Sequence, residues 1–394
     1  MGVYSMLKDI FVSIDKHYGE MVDIRRYLHE NPELSFHEYK TAQYITEFYD
    51  ALDIPYKKNV GGNGIVATLK GAKPGKTVAL RADFDALPIQ DEKDVPYKSK
   101  VPGVMHACGH DGHTATLLTI AKIMRAFQSE LPGTMVFIHQ HAEELSPGGA
   151  KPMVEAGVLN DVDAIFGTHL WAPAKFGEIQ VSKDVLMAGS DRFEITIQGK
   201  GGHGASPHET KDAIVIGANL INQLQQIVSR RIDPLETAVI TVGKFSAGQS
   251  FNIIAHQAEI VGTARYINKD IQEQIIIEME KVIEGVCLMY DATYTFDYYK
   301  GYPPVVNHPN EAELVLQAGE QIDDVQKVSE VVPVMGGEDF SYYLKEKPGA
   351  FFFTGAQIKD NFQPHHHPLF DIDERAMPIA AKTLIQAYYN YQNQ

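Results

Sequence analysis

Cysteine is nearly absent from this chain: two residues, Cys108 and Cys287, in 394. Two thiols cannot build a disulfide framework, so a reducing compartment fits best and a cytoplasmic location is expected. Cationic residues are also scarce, 35 Lys and Arg against 51 Asp and Glu, for a formal charge of −16. That balance excludes an electrostatic nucleic-acid or membrane-surface binder. No uncharged stretch approaches the roughly 20 apolar residues of a membrane-spanning helix. Lys8, Asp9, Asp15 and Lys16 interrupt residues 1–18, so this stretch has no signal-peptide core. What remains, 44% hydrophobic and 22% charged residues, is the composition of a soluble globular enzyme. At 394 residues the chain exceeds one hydrophobic core, which predicts two domains.

Residues 7–29 have helical spacing, with Ile10, Ile14, Met21, Ile24 and Leu28 along one stripe, and Pro32 closes the run. A second helix is expected over 38–52. Two short strands, 64–69 and 77–82, flank a turn at 73–76, then comes a helix over 113–127 with strands at 134–139 and 162–167. The alternation predicts an α/β domain with a mixed, largely parallel sheet flanked by helices. The character changes near Lys183. Strands at 193–198, 237–245, 257–267 and 293–298, with helices at 212–232 and 272–289, form a compact α+β unit of about 115 residues. Helix 310–322, strand 350–354 and helix 379–391 then resume the first pattern. The expected organisation is one domain from 1–184 and 302–394, with 185–301 inserted.

One segment concentrates chemistry: His106-Ala-Cys108-Gly-His110-Asp111-Gly-His113. A thiolate and an imidazole two residues apart can grip one divalent ion if the backbone turns tightly, which Gly109 allows. Apolar strands elsewhere end in acids or a histidine: Arg81-Ala-Asp83-Phe-Asp85, His139-Gln-His141-Ala-Glu143-Glu144, and Gly167-Thr-His169. Functional groups of open α/β sheets gather beyond such strand ends. Two adjacent buried carboxylates repel, and a divalent ion relieves them by binding one. The other is left to accept a proton from water that the ion acidifies. A further ligand is expected from His365-His366-His367, held in a rigid loop by Pro364 and Pro368. The glycine-flanked His203, in Gly199-Lys-Gly-Gly-His203-Gly-Ala-Ser-Pro-His208, is a candidate hydrogen-bond donor to an oxyanion. Arg265 is a candidate for a substrate carboxylate or for a structural ion pair. His17, His29 and His37 read as surface or supporting groups, His106 as positioning its loop and His113 as opening a helix.

These segments, with Arg25-Arg-Tyr-Leu-His29-Glu-Asn-Pro32 and Gly336-Gly-Glu-Asp-Phe340, together resemble the metal-dependent amidohydrolases typified by hippurate hydrolase. That family also holds the auxin–amino acid hydrolases and N-acetyl-diaminopimelate deacetylases, within the aminoacylase and carboxypeptidase zinc exopeptidases. The resemblance spans about residues 20–380. It implies hydrolysis of N-acyl amino acids, or of short peptides by a dipeptidase or carboxypeptidase relative, with two divalent ions per subunit. Zinc is expected first, with manganese, cobalt and nickel as alternatives. The implied ligands are Cys108, bridging, with His110, Glu144, His169 and His366. His367 is the alternative for the last ligand, and His365 the remaining one. Glu143 is implied as general base, Asp83 as the catalytic aspartate acting from behind the ligands, His203 as a lid histidine, and Asn252 as a substrate contact. Asn252-Ile-Ile-Ala255 departs from the family's Asn-x-Ile-Pro, and His141 stands where proline is frequent. A homodimer through the inserted lid domain is also implied. A metal sensor built on Cys108 is the remote alternative; it leaves Glu143 and His203 without roles.

Overall fold

The computed structural model describes residues 3–394, and the chain divides into two compact units, Met1–Leu186 with Val305–Val332 and Asp339–Gln394, and Met187–Pro304 with Pro333–Glu338. No helix among the described residues is long and apolar enough to cross a membrane.

The first unit is built on an eight-stranded sheet. Its strands are β1 (Tyr56–Val60), β2 (Gly64–Lys70), β3 (Lys73–Asp83), β4 (Pro132–Gln140), β5 (Ala164–Lys175), β6 (Glu178–Val181), β7 (Lys327–Glu330) and β8 (Gly349–Gln357). The order across the sheet is β1-β2-β4-β3-β5-β8-β6-β7. The four central strands β4, β3, β5 and β8 run parallel, while β1–β2, β2–β4 and β8–β6 pair antiparallel. Central strands covered on both faces read as apolar runs, and β8, Gly-Ala-Phe-Phe-Phe-Thr-Gly-Ala-Gln, is buried along nearly its whole length. The helices include α1 (Val3–Lys16), α2 (Tyr18–Glu30), α3 (Tyr39–Ala51), α4 (His110–Ala126), α5 (Pro309–Glu320) and α6 (Ala376–Gln392). α4 packs on α2, α6 and β3, which explains why it is buried almost all round.

The stripe Ile10, Ile14, Met21, Ile24 and Leu28 is buried as its period predicts. The single helix expected over 7–29 is instead two. At His17 the backbone leaves the helix (φ −94°, ψ 7°), and the imidazole Nδ1 sits 2.7 Å from the Ser13 carbonyl. The expected turn at 73–76 is also corrected. Those residues lie within β3, because β4 inserts between β2 and β3 and no hairpin forms. Strand β5 runs on through His169 to Lys175 instead of stopping before it.

The second unit is a four-stranded antiparallel sheet in the order Ala238–Ala247, Gln257–Tyr266, Gly189–Gln198, Thr293–Tyr302. Helices Ala213–Gln226 and Lys269–Met289 supply Ile216, Leu220, Leu224, Ile275, Met279 and Ile283 to its core, against Phe193, Ile195, Ile197 and Ile260 of the sheet. The long helix expected over 212–232 ends as α-helix at Gln226 and closes in a π-turn, Ile227–Arg231.

Candidate metal centre

The carboxyl ends of the parallel strands carry the candidate residues to one edge of the first unit's sheet. Asp83 ends β3 and pairs in register with Gln140 at the end of β4, while His169 of β5 lies beside Phe353 of β8. After β4 the chain turns through Ala142 at φ 53°, a left-handed conformation held by the Ala142 N–H donating to Glu38 Oε1 at 2.9 Å. Glu143 and Glu144 follow. Gly109, at φ 95°, caps α4 immediately before His110. A side chain there would be strained by that φ and not by crowding, since the closest neighbour of an added Cβ is 3.6 Å away.

Five donor groups result among the described residues; three are Asp83 with His110 and His113, His110 with Glu143 and Glu144, and Glu143 with Glu338 and Asp339, and the other two share Cys108. Cys108, His110 and His169 form one, and Cys108, Glu144 and His366 the other, the donor atoms in each lying within 4.8 Å of one another. Cys108 Sγ is 3.4 Å from His169 Nε2, and His366 Nε2 is 3.3 Å from Glu144 Oε2. His110 Nε2 stands 3.8 Å from Glu144 Oε1, 4.0 Å from Glu143 Oε2 and 3.7 Å from Asp83 Oδ2. His110 Nε2 and Glu144 Oε1 are both buried without a hydrogen-bond partner among the described residues. Buried polar atoms are rarely left so, and a cation between them satisfies both. The electrostatics agree. Burial disfavours charge on His110, yet Asp83, Asp85 and Glu144 override it and raise the imidazole to about 10. Burial, then Glu144, Glu143 and Asp83, push the Cys108 thiol well above its ordinary range. A cluster that holds a proton on His110 and on sulfur is one that lacks positive charge, which a divalent ion supplies. The donor set fits two such ions sharing the sulfur.

The histidine triplet separates by its hydrogen bonds. His365 Nε2 accepts from Ala172 N–H at 3.2 Å, which leaves hydrogen on Nδ1, and His367 Nδ1 accepts from Leu369 N–H at 3.1 Å within its own loop. His366, at φ 65°, is the one whose Nε2 faces Glu144, and its own N–H donates to Ala107 O at 2.8 Å.

Several supporting groups have partners that the sequence does not reveal. His110 Nδ1 faces the Asp85 carbonyl at 3.0 Å and its Oδ1 at 3.2 Å, which turns Nε2 toward the cluster. Asp85 Oδ2 accepts from Ser35 Oγ at 2.6 Å and from Glu144 N at 3.0 Å, so one carboxylate sets two candidate ligands. Asp85→Asn puts an NH2 against one of these donors whichever way the amide turns. Its metal affinity is expected to fall about 10–100-fold by calorimetric titration, with the fold retained; unchanged affinity would show that Asp85 is not a positioning group. His113 opens α4 as expected, but its Nδ1 donates to Asp83 Oδ1 at 2.6 Å and its Nε2 accepts from Leu170 N–H at 2.9 Å. With both nitrogens engaged, His113 has none left for a metal. Asp83 also accepts from Arg81 Nη1 at 2.6 Å, and Arg81, His110 and His113 hold it well below the usual carboxylate range despite its burial.

His29, read from sequence as a surface or supporting group, is fully buried. Its Nδ1 meets Asp111 Oδ2 at 2.7 Å and its Nε2 meets Lys93 Nζ at 2.9 Å. Arg25 spans Asp111 (3.0 Å), Asp371 (2.5 Å) and Glu374 (2.9 Å), tying α2 to the residue after His110 and to the segment after the triplet. Burial would raise Asp371, but Arg25 and the Tyr97 hydroxyl hold it below the ordinary range. A lowered folded-state pKa stabilises above the unfolded value and is lost as pH falls. Asp371→Asn is therefore expected to cost about 1–3 kcal/mol in urea unfolding at pH 7, the gap to wild type closing below about pH 4. A gap independent of pH would contradict this.

His203, Asn252 and Arg265 lie in the second unit. His203 pairs with Ile253 across a small two-stranded ladder, and Gly204 N–H donates to Asn252 O at 2.9 Å, so these two candidates adjoin. His203 Nδ1 accepts from Ala205 N–H at 3.1 Å, which leaves Nε2 bearing hydrogen, and the residue is exposed. Arg265 is half-buried and makes no ion pair among the described residues. It hydrogen-bonds Thr263 Oγ1 and the Ala264 carbonyl.

Carboxylates, imidazoles and a sulfur gathered beyond the strand ends of a largely parallel sheet define a metal-dependent hydrolase. Residues 79–390 match the profile of the peptidase family M20/M25/M40, and the chain belongs to that family. It is 52% identical over 393 residues to YhaA of Bacillus subtilis (strain 168), covering 99% of both chains. It is 46% identical over 295 residues to an N-acyl-L-amino acid amidohydrolase of Geobacillus stearothermophilus, covering 75% of this chain and 80% of that one. The solved structure of the Bacillus subtilis YXEP protein, a dinuclear metal-binding peptidase of the M20 family, matches with a TM-score of 0.81. The two share 35% identity over 95% of this chain and 97% of that one.

Proposed function

We propose that this chain hydrolyses the amide bond of N-acyl amino acids, releasing a carboxylic acid and a free amino acid. The observation that carries the reading is Glu143, a buried acid 4.0 Å from His110 Nε2, beside the two donor triads that share Cys108 and do not include it. The relative named for N-acyl-L-amino acids supports the substrate class.

Cys108, His110 and His169 would hold one divalent ion, and Cys108, Glu144 and His366 the other; zinc suits the thiolate and imidazole donors best, with manganese, cobalt or nickel as alternatives. When bound, such ions supply Lewis acidity to the scissile carbonyl and to water. Glu143 takes the proton of the attacking water and passes it to the leaving nitrogen. Asp83 keeps His113 and Arg81 in place behind the ligands. His203, with hydrogen on Nε2, donates to the developing oxyanion. Arg265, which feels the Asp191 carboxylate but makes no close ion pair among the described residues, takes the carboxylate of the substrate, and Asn252 adds a polar contact. The homodimer forms through the second unit, whose outer strand Ala238–Ala247 presents Val239 and Phe245 at an unpaired edge. The free thiols of Cys108 and Cys287 fit the cytoplasm.

A second reading, cleavage of dipeptides or C-terminal peptide bonds, is favoured by the peptidase family and uses the same groups. A panel of N-acetyl and N-benzoyl amino acids beside dipeptides, read as released primary amine, separates them. N-acyl amino acids are expected to turn over fastest. Turnover confined to dipeptides would favour the second reading, and none in either class would end both.

A further inference from the structure

His365 points at the shared sulfur with a ring atom whose protonation the fold fixes. Ala172 N–H donates to Nε2 at 3.2 Å, so Nδ1 carries the hydrogen; the ring also hydrogen-bonds the Cys108 backbone, and Nδ1 lies 3.8 Å from Cys108 Sγ. A ring nitrogen that bears hydrogen cannot bind a metal, but it can donate to a thiolate. The imidazole is held on several sides. It stacks on Trp171 at 4.7 Å with 29° between planes, packs at 4.9 Å from Phe370, and meets the edge of His169 at 5.0 Å. Trp171 is backed in turn by Phe353 at 4.3 Å.

We propose that His365 is a positioning residue that donates its Nδ1 hydrogen to the Cys108 thiolate, directing the sulfur and moderating its electron donation. The inference rests on the metal-centre reading above. A sulfur shared by two donor triads must aim at two places at once, and a fixed N–H on a third side restricts how it turns. Partners behind a metal ligand tune that ligand's donation as well as its orientation. The triplet therefore divides its work: His366 toward Glu144, His365 toward sulfur.

Cobalt(II) bound to the full chain tests this through its sulfur-to-cobalt charge-transfer absorption. His365→Phe keeps a ring on Trp171 and removes the N–H; His365→Asn removes the ring and keeps an amide N–H near the place of Nδ1. At saturating cobalt the Phe variant is expected to bind the full complement with its band moved to lower energy, because a thiolate without a donor is the stronger electron source. Its cobalt affinity is expected to change by about 10-fold. The Asn variant is expected to keep the band near that of wild type, while emission from Trp171, the single tryptophan, changes as the stack is lost. An unmoved band in the Phe variant overturns the proposal, as does an equal shift in both variants. Loss of a cobalt ion from the Phe variant also overturns it, by making His365 a ligand. A wild-type protein with no sulfur-to-cobalt band would remove the metal centre itself, a result distinct from an unshifted variant.

Discussion

Glu143→Gln is expected to lower kcat by about 10²–10⁴-fold while leaving two ions bound, the magnitude typical of removing a general acid–base group. The amide is nearly isosteric and can still hydrogen-bond water, but it cannot take a proton. Glu143 also groups with His110 and Glu144, but the two triads that share Cys108 do not include it, so on this account both ions stay. The neighbouring Glu144→Gln behaves differently on the same argument. Its Oε2 lies 3.3 Å from His366 Nε2 and its Oε1 has no hydrogen-bond partner among the described residues, so that variant loses metal first and activity as a consequence. Elemental analysis and kcat on both variants separate base from ligand. A Glu143→Gln protein with full activity would reject the assignment, and one that has lost an ion would exchange the two roles.

Cys108→Ala has the widest expected effect, because the sulfur belongs to both triads. Stoichiometry is expected to fall below two ions, with affinity at the remaining site weakened by more than about 100-fold, above the cost of losing an outer partner. Activity at limiting metal follows it down. The thiol also predicts a pH dependence. Burial and the surrounding carboxylates push Cys108 well above its ordinary range, so binding must displace a proton from sulfur, and another from His110, which stands at about 10. Metal affinity therefore rises with pH through neutrality and falls on acidification. Cys108→Ala removes the sulfur's share of that proton release, measurable by calorimetry in buffers of different ionisation enthalpy. Equal proton release in wild type and variant would mean that sulfur is not a ligand.

Much of this centre was legible because its groups sit at strand ends and after a tight turn. An apolar run closing on Asp83, another on Glu143-Glu144, and a glycine before His110 are local patterns, and the parallel sheet converts them into proximity. The core stripe from Ile10 to Leu28 was legible for the same reason, as a period. What could not be read depends on distant pairing. Arg25 is one more base on a helix until Asp111, Asp371 and Glu374 meet it, the last 349 residues away. The hairpin suggested by Lys73-Pro-Gly-Lys76 fails because β4 wins the place beside β2, a choice made by sheet pairing and not by turn residues. The histidine triplet is uniform as sequence; Ala172, Leu369 and Glu144 make its members different. Asp85, two residues past Asp83, looked like its twin, and only its contacts with His110, Ser35 and Glu144 assign it a separate task.

The most direct measurement is anomalous diffraction from crystals grown with zinc, collected on either side of the metal edge. Two peaks are predicted, one among Cys108, His110 and His169 and one among Cys108, Glu144 and His366, each within bonding distance of the same sulfur. Zinc found elsewhere on the chain, with neither peak beside Cys108, would contradict the account.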